Sequence, residues 1–93
     1  MRWTVKIEGK PELQIEVQYI PLYDKLEFKG FYHKARTNSW LEFHSISVSS
    51  DIDVEGIQKM LFDVYERLAE RVKQYENLNE GFKYISLIEI PED

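Results

Sequence analysis

Residues 2–19 alternate apolar and polar side chains almost without interruption, and no other feature constrains the fold as much. In Arg2–Glu8, Trp3, Val5 and Ile7 share one face, while Arg2, Thr4, Lys6 and Glu8 share the other. A period of two belongs to a strand with one face buried. Gly9-Lys10-Pro11 interrupts the pattern, and Glu12–Tyr19 resumes it with Leu13, Ile15, Val17 and Tyr19 inward. Two alternating runs around a Gly-containing turn predict a hairpin. Lys25–His33 predicts a third strand, with Leu26, Phe28 and Tyr32 on one face and Gly30 between them. The connector before it, Ile20-Pro21-Leu22-Tyr23-Asp24, is unusually apolar.

A polar connector, His33–Asn38, leads to a fourth strand near Ser39–Ser49, where the pattern changes phase. Leu41 and Phe43 have one parity, Ile46 and Val48 the other. Either one extra residue, a β-bulge around His44–Ser45, restores the register, or both faces are partly covered. The bulge is the simpler expectation.

The period then becomes helical. Advancing 100° per residue from Ile57, the side chains of Met60, Leu61, Val64, Leu68, Val72, Tyr75 and Leu78 fall in one stripe, predicting a long amphipathic helix over Ser50–Asn79. Ser50, Asp51 and Asp53 offer capping groups at its start, and Asn77–Gly81 offers stop signals at its end. From Asp53 to Asn77 such a helix reaches about 37 Å, so one end should overhang the sheet. Phe82–Ile90 reads as a fifth strand, ended by Pro91. The expected fold is a single α+β domain over residues 1–93, β-β-β-β-α-β. Its sheet would have five antiparallel strands in the order 4-3-2-1-5, with one long helix packed on one face. Trp3, Val5, Ile7, Leu13, Ile15, Val17, Leu26 and Phe28 would then meet the helix stripe in one core.

Charge narrows the function classes. The net charge is −5, and the imbalance is not uniform: residues 1–50 carry 7 basic and 6 acidic side chains, residues 51–93 carry 5 and 11. Binding to nucleic acid or anionic membrane rests on Lys and Arg, so this balance disfavours both and suits a basic protein partner. There is no cysteine, which excludes disulfides and thiolate chemistry. No apolar run approaches the roughly 18 residues of a spanning helix, and the first residues alternate rather than forming a leader. A soluble, cytoplasmic protein away from the membrane is expected.

Catalytic patterns are weak. Asp51, Asp53 and Glu55 have a spacing that hard cations favour, but they stand where a helix begins and its free N–H groups already account for them. His33 and His44 are the only histidines, and two do not make a zinc site. Ser45–Ser50, His44 and Asp51 can be assembled into a triad only on paper, since no Gly-x-Ser-x-Gly elbow is present. No glycine pattern cradles phosphate. The expectation is a chain without catalytic residues, metal or cofactor.

Two surfaces suit binding instead. Off the core stripe, Phe62 and Tyr65 widen the apolar face of the helix, and Leu22 and Tyr23 make the connector between the second and third strands apolar. Asp63, Glu66 and Glu70 lie about 240°, 180° and 220° from Ile57, so they face solvent together. These residues are the candidate contacts for a protein partner, with a second copy of the chain as one such partner. The alternative is a small single-stranded nucleic-acid-binding domain. It would use the hairpin of Lys29, Phe31, His33, Lys34, Arg36 and Trp40, where cations and aromatics interleave as base stacking requires. In size, acidity and absence of cysteine the chain is similar to phage-encoded inhibitors of the anti-CRISPR and anti-restriction kind and to toxin-immunity proteins. That resemblance is of format, without a shared motif, and it implies an inhibitor that blocks a basic, nucleic-acid-handling partner.

Overall fold

A computed structural model describes residues 1–82. Four strands, β1 (Arg2–Ile7), β2 (Lys10–Ile20), β3 (Lys25–Lys34) and β4 (Ser39–Ser49), precede one helix, α1 (Val54–Phe82). The strands form an antiparallel meander in the order β1-β2-β3-β4. Each hairpin turn holds one residue in the left-handed region: Gly9, Asp24 and Asn38, at φ of 76°, 50° and 52°. Gly, Asp and Asn tolerate that conformation best, so the turn chemistry and the strand pattern agree. Pro11 falls where the β1–β2 register shifts, between the pairs Lys6↔Gln14 and Ile7↔Lys10, where its missing N–H costs no ladder bond.

The expected α+β class stands, but the five-stranded sheet with order 4-3-2-1-5 is corrected to four strands in order 1-2-3-4. Phe82, expected to open a fifth strand, is the last residue of α1. The rest of that expected strand lies outside the described residues. The stop signals at Asn77–Gly81 do not stop the helix. Asn and Gly weaken a helix by about 1 kcal/mol or less each, whereas Pro breaks it, and Val54–Phe82 contains none.

The parity conflict in β4 is resolved by a bulge, one residue earlier than expected. Gly30 pairs with His44 and Phe31 with Glu42, leaving Phe43 as the extra residue. Leu41 thereby shares a face with Tyr32, and Ile46 and Val48 with Phe28 and Leu26. Phe43 stacks on Tyr32 at 5.8 Å between ring centroids, and Tyr75 of α1 closes the group at 5.6 Å from Phe43 and 6.0 Å from Tyr32.

The core lies between α1 and the middle of the sheet. Leu13, Ile15, Val17 and Phe28 are buried against Val64, Leu68 and Val72. Gly30 decides where the helix rests. A Cβ built there would meet the Leu68 side chain at 3.3 Å, so the missing side chain of β3 receives a leucine of α1. A helix is about 10–12 Å across and strands are about 4.8 Å apart, so one helix covers two or three strands of four. Here it packs most on β3 and β4, then β2, and leaves β1 at the margin. The row Trp3, Val17, Phe28 and Ile46 records this, with exposures of 45%, 7%, 0% and 37%. Trp3 is therefore not the core residue its position in the alternating pattern suggests. The overhang is at the C-terminal end of α1, where the aromatic group ends at Tyr75 and Leu78 stands exposed.

Candidate functional site

The two sheet faces differ in chemistry because the strands alternate. On the face away from α1, most of the residues opposite one another are polar: Arg2, Thr4 and Lys6 of β1, Gln14, Glu16 and Gln18 of β2, Glu27 and Lys29 of β3, and Glu42, Ser45 and Ser47 of β4. Arg2 Nε lies 3.5 Å from Glu16, and Lys29 Nζ lies 3.1 Å from Glu27 and 3.7 Å from Glu42. The hydrogen bond and charge of Glu27 hold the Lys29 ammonium above its usual range, with Glu42 and Glu16 adding to it.

The hairpin residues proposed for nucleic acid divide between the faces. Lys29, Phe31, His33 and, through its pairing with His33, Trp40 share the open face. The His33 and Trp40 rings lie 4.9 Å apart, and the His33 Nε2–H donates to Asn38 Oδ1 at 3.0 Å. Lys34 is on the other face, its ammonium 5.8 Å from the Tyr75 ring centroid. Arg36 is in the connecting turn. Phe31, His33 and Trp40 share one face, but Lys29 is already engaged by two carboxylates and Lys34 lies on the other face.

Of the residues expected to contact a protein partner, Phe62, Leu22 and Tyr23 are exposed on the less covered side of the molecule, whereas Glu70 lies on the β4 side of α1. Phe62, 59% exposed, lies on the flank of α1 that turns away from β4, and Tyr65 below it is half-buried against the core. Leu22 and Tyr23, 81% and 67% exposed, form the β2–β3 turn at the end of the sheet where β1 begins. Asp24 in the same turn is a junction. Tyr19 Oη and Ser50 Oγ both donate to its Oδ1, at 2.8 and 2.7 Å, and these bonds hold its carboxyl below the ordinary carboxylate range. Ser50 is thus committed to the turn and does not cap the helix. Asp53 does, accepting from the Gly56 N–H at 2.7 Å. Asp63, Glu66 and Glu70 stand on the outer half of α1, Asp63 half-buried and the other two exposed.

The catalytic patterns are not assembled. Ser45 and Ser47 face away from His44, which points to the helix side opposite Gly30. Among the described residues no three His, Asp or Glu side chains gather where they could hold a metal ion. No described helix is long and apolar enough to cross a membrane.

One feature escaped the sequence reading. His44, Arg67, Glu70, Arg71 and Gln74 line a cleft of about 280 Å³ between β4 and α1. The His44 Nε2 atom is buried without a hydrogen-bond partner. Burial, then the charges of Arg67 and Arg71, push the imidazole below its usual value. The signal available in the sequence was an i, i+4 arginine pair about 280° and 320° around α1, straddling the Met60 edge of the core stripe at about 300°. What no pattern supplied was the histidine across from it.

No family model, no curated protein and no solved structure matches the chain.

Proposed function

We propose that the protein is a non-catalytic protein-binding module, and that the specific form it takes is an inhibitor of a basic, nucleic-acid-handling partner. The observation that carries this reading is the uncovered side of the molecule. Trp3 and Phe62 are both exposed on the β1 side of α1, and Leu22 and Tyr23 are exposed at the same end. Large aromatic and aliphatic side chains in such positions are the usual anchors of a protein interface. The net charge of −5 and the carboxylates of Asp63, Glu66 and Glu70 supply the field that would steer a basic partner. The same apolar flank would accept a second copy of the chain.

The test is affinity capture from the native cell with wild type and variants in parallel. Phe62→Glu and Tyr23→Glu should each lower recovery of the partner about tenfold or more, as anchor residues do. Asp63→Asn, Glu66→Gln and Glu70→Gln together should slow association and flatten its salt dependence. A partner recovered equally by all of these would defeat the reading.

A second reading is favoured by the Phe31–His33–Trp40 platform on the open sheet face, which is the arrangement that stacks unpaired bases. Retention on immobilised RNA or single-stranded DNA, with a steep loss as salt rises and a further loss in Trp40→Ala, would support it. Flow-through at low salt would dismiss it.

A further inference from the structure

The cleft between β4 and α1 has a chemistry that neither the apolar side nor the open sheet face shares. Arg67 and Arg71 are one turn apart on α1, and among the described residues neither makes an ion pair, although Glu70 lines the same space. Two guanidinium forks, in a cleft that also holds an imidazole whose Nε2 is buried without a partner, give this space a surplus of donors over the acceptors of Glu70 and Gln74. Buried polar atoms are nearly always satisfied, so an orphan of this kind calls for a group that is missing. An oxyanion meets all three needs, since guanidinium–oxyanion bonds are bidentate and charge-assisted.

We infer that this cleft binds a small phosphorylated polyol, its phosphate held by Arg67, Arg71 and His44 and a hydroxyl held by Glu70 and Gln74. The carboxylate is what selects a polyol. Glu70 repels a bare phosphate but accepts a hydrogen bond from an adjacent hydroxyl, and the Gln74 amide can accept or donate there. Size selects a small molecule, because about 280 Å³ lies at the lower edge of ligand pockets, which run from about 300 to 1,000 Å³. A chain with a net charge of −5 also discriminates against polyanions, which would feel the whole surface and not only the arginine pair.

The groups that face the imidazole are few. From α1 they are Arg67, Glu70 and Arg71, from β3 the opposite and adjacent positions are Gly30, Phe28 and Tyr32, and on its own strand the neighbours on this face are Ile46 and Phe43. Burial first, and then the positive balance of charge from Arg67 and Arg71, disfavours the charged imidazole. A bound phosphate reverses the balance, so His44 should titrate at higher pH in the complex.

The test is an NMR titration of the two histidine rings of the intact protein, with His33 on the opposite sheet face as the internal control. Inorganic phosphate, glycerol 2-phosphate and glycerol are added separately at constant ionic strength. Glycerol 2-phosphate should move the His44 signals, leave His33 in place and raise the His44 titration point. It should bind more tightly than inorganic phosphate, and glycerol alone should do nothing. Arg67→Gln and Arg71→Gln, both at exposed helix positions, should each weaken binding about tenfold, the effect of one charge-assisted bond. Glu70→Gln should erase the preference for glycerol 2-phosphate over phosphate. Vesicles of phosphatidylglycerol in phosphatidylcholine present the same chemistry at a lipid surface and should leave His44 unmoved. Indifference of His44 to every phosphate overturns the site, equal affinity for phosphate and glycerol 2-phosphate overturns the polyol, and a response to vesicles alone overturns the small-molecule source.

Discussion

Gly30 and His44, paired across β3 and β4, show how much one position can decide. Gly30 has no conformational peculiarity; it is needed because Leu68 occupies the space its side chain would take. Gly30→Val should therefore destabilise the fold by about 1–3 kcal/mol, the usual cost of overfilling a packed contact. Urea denaturation of the purified variant would measure it, and an unchanged midpoint would mean that α1 does not bear on β3 at this point. His44 sets a pH dependence. Its imidazole titrates below the ordinary value of 6.5 because burial and two arginines disfavour its charge. Its contribution to stability is present above 6.5 and is lost as pH falls through the lower folded-state value, where the imidazole must be protonated. Thermal melting from pH 8 to pH 5 should show a fall in Tm that His44→Leu reduces. Identical pH profiles for the two proteins would remove His44 from the account.

At the level of elements, the capping aspartate and the β4 bulge were legible and the bounds of the helix were not: α1 begins at Val54, not at Ser50, and runs past Asn79. Asp53 accepts from the N–H three residues on, the hydrogen bond that a capping aspartate makes in any helix. Asp53→Ala should cost about 1 kcal/mol in thermal or chemical denaturation, while Asp51→Ala should cost almost nothing; the reverse order would place the cap elsewhere. The bulge was legible because a sheet face has strict parity, and the change from Leu41/Phe43 to Ile46/Val48 demands one surplus residue. Its location at Phe43 was settled by the aromatic group, since the Phe43 ring stacks on Tyr32 and meets Tyr75. The end of α1 was misread because Asn and Gly lower helix propensity without preventing a helix, and a local signal of that strength yields to its surroundings.

At the scale of the molecule, the consequence of one helix on four strands among the described residues is asymmetry. The β4 side of α1 closes over a polar cleft, and the β1 side leaves Trp3 and Phe62 exposed. If that side accepts a second copy, sedimentation at high micromolar concentration should give a species heavier than the 11.2 kDa chain, and Phe62→Glu should return it to that mass. A wild-type protein that sediments at 11.2 kDa under those conditions would sink self-association through this flank.

The sequence by itself determined the elements that rest on local sterics: the four strands, from a period of two; the turns, from Gly, Asp and Asn at left-handed positions; and the helix, from its apolar stripe. It also contained the residues of the apolar flank, because an excess of apolar side chains is countable on a helical wheel. Tertiary structure alone decided which strands the helix would cover, that Trp3 would be left out, and that His44 would meet Arg67 and Arg71. Those outcomes join residues more than twenty positions apart, through the register of β3 against β4 and the seat of Leu68 on Gly30. Periodicity states which face a side chain takes within its own element, but only packing states what stands opposite that face.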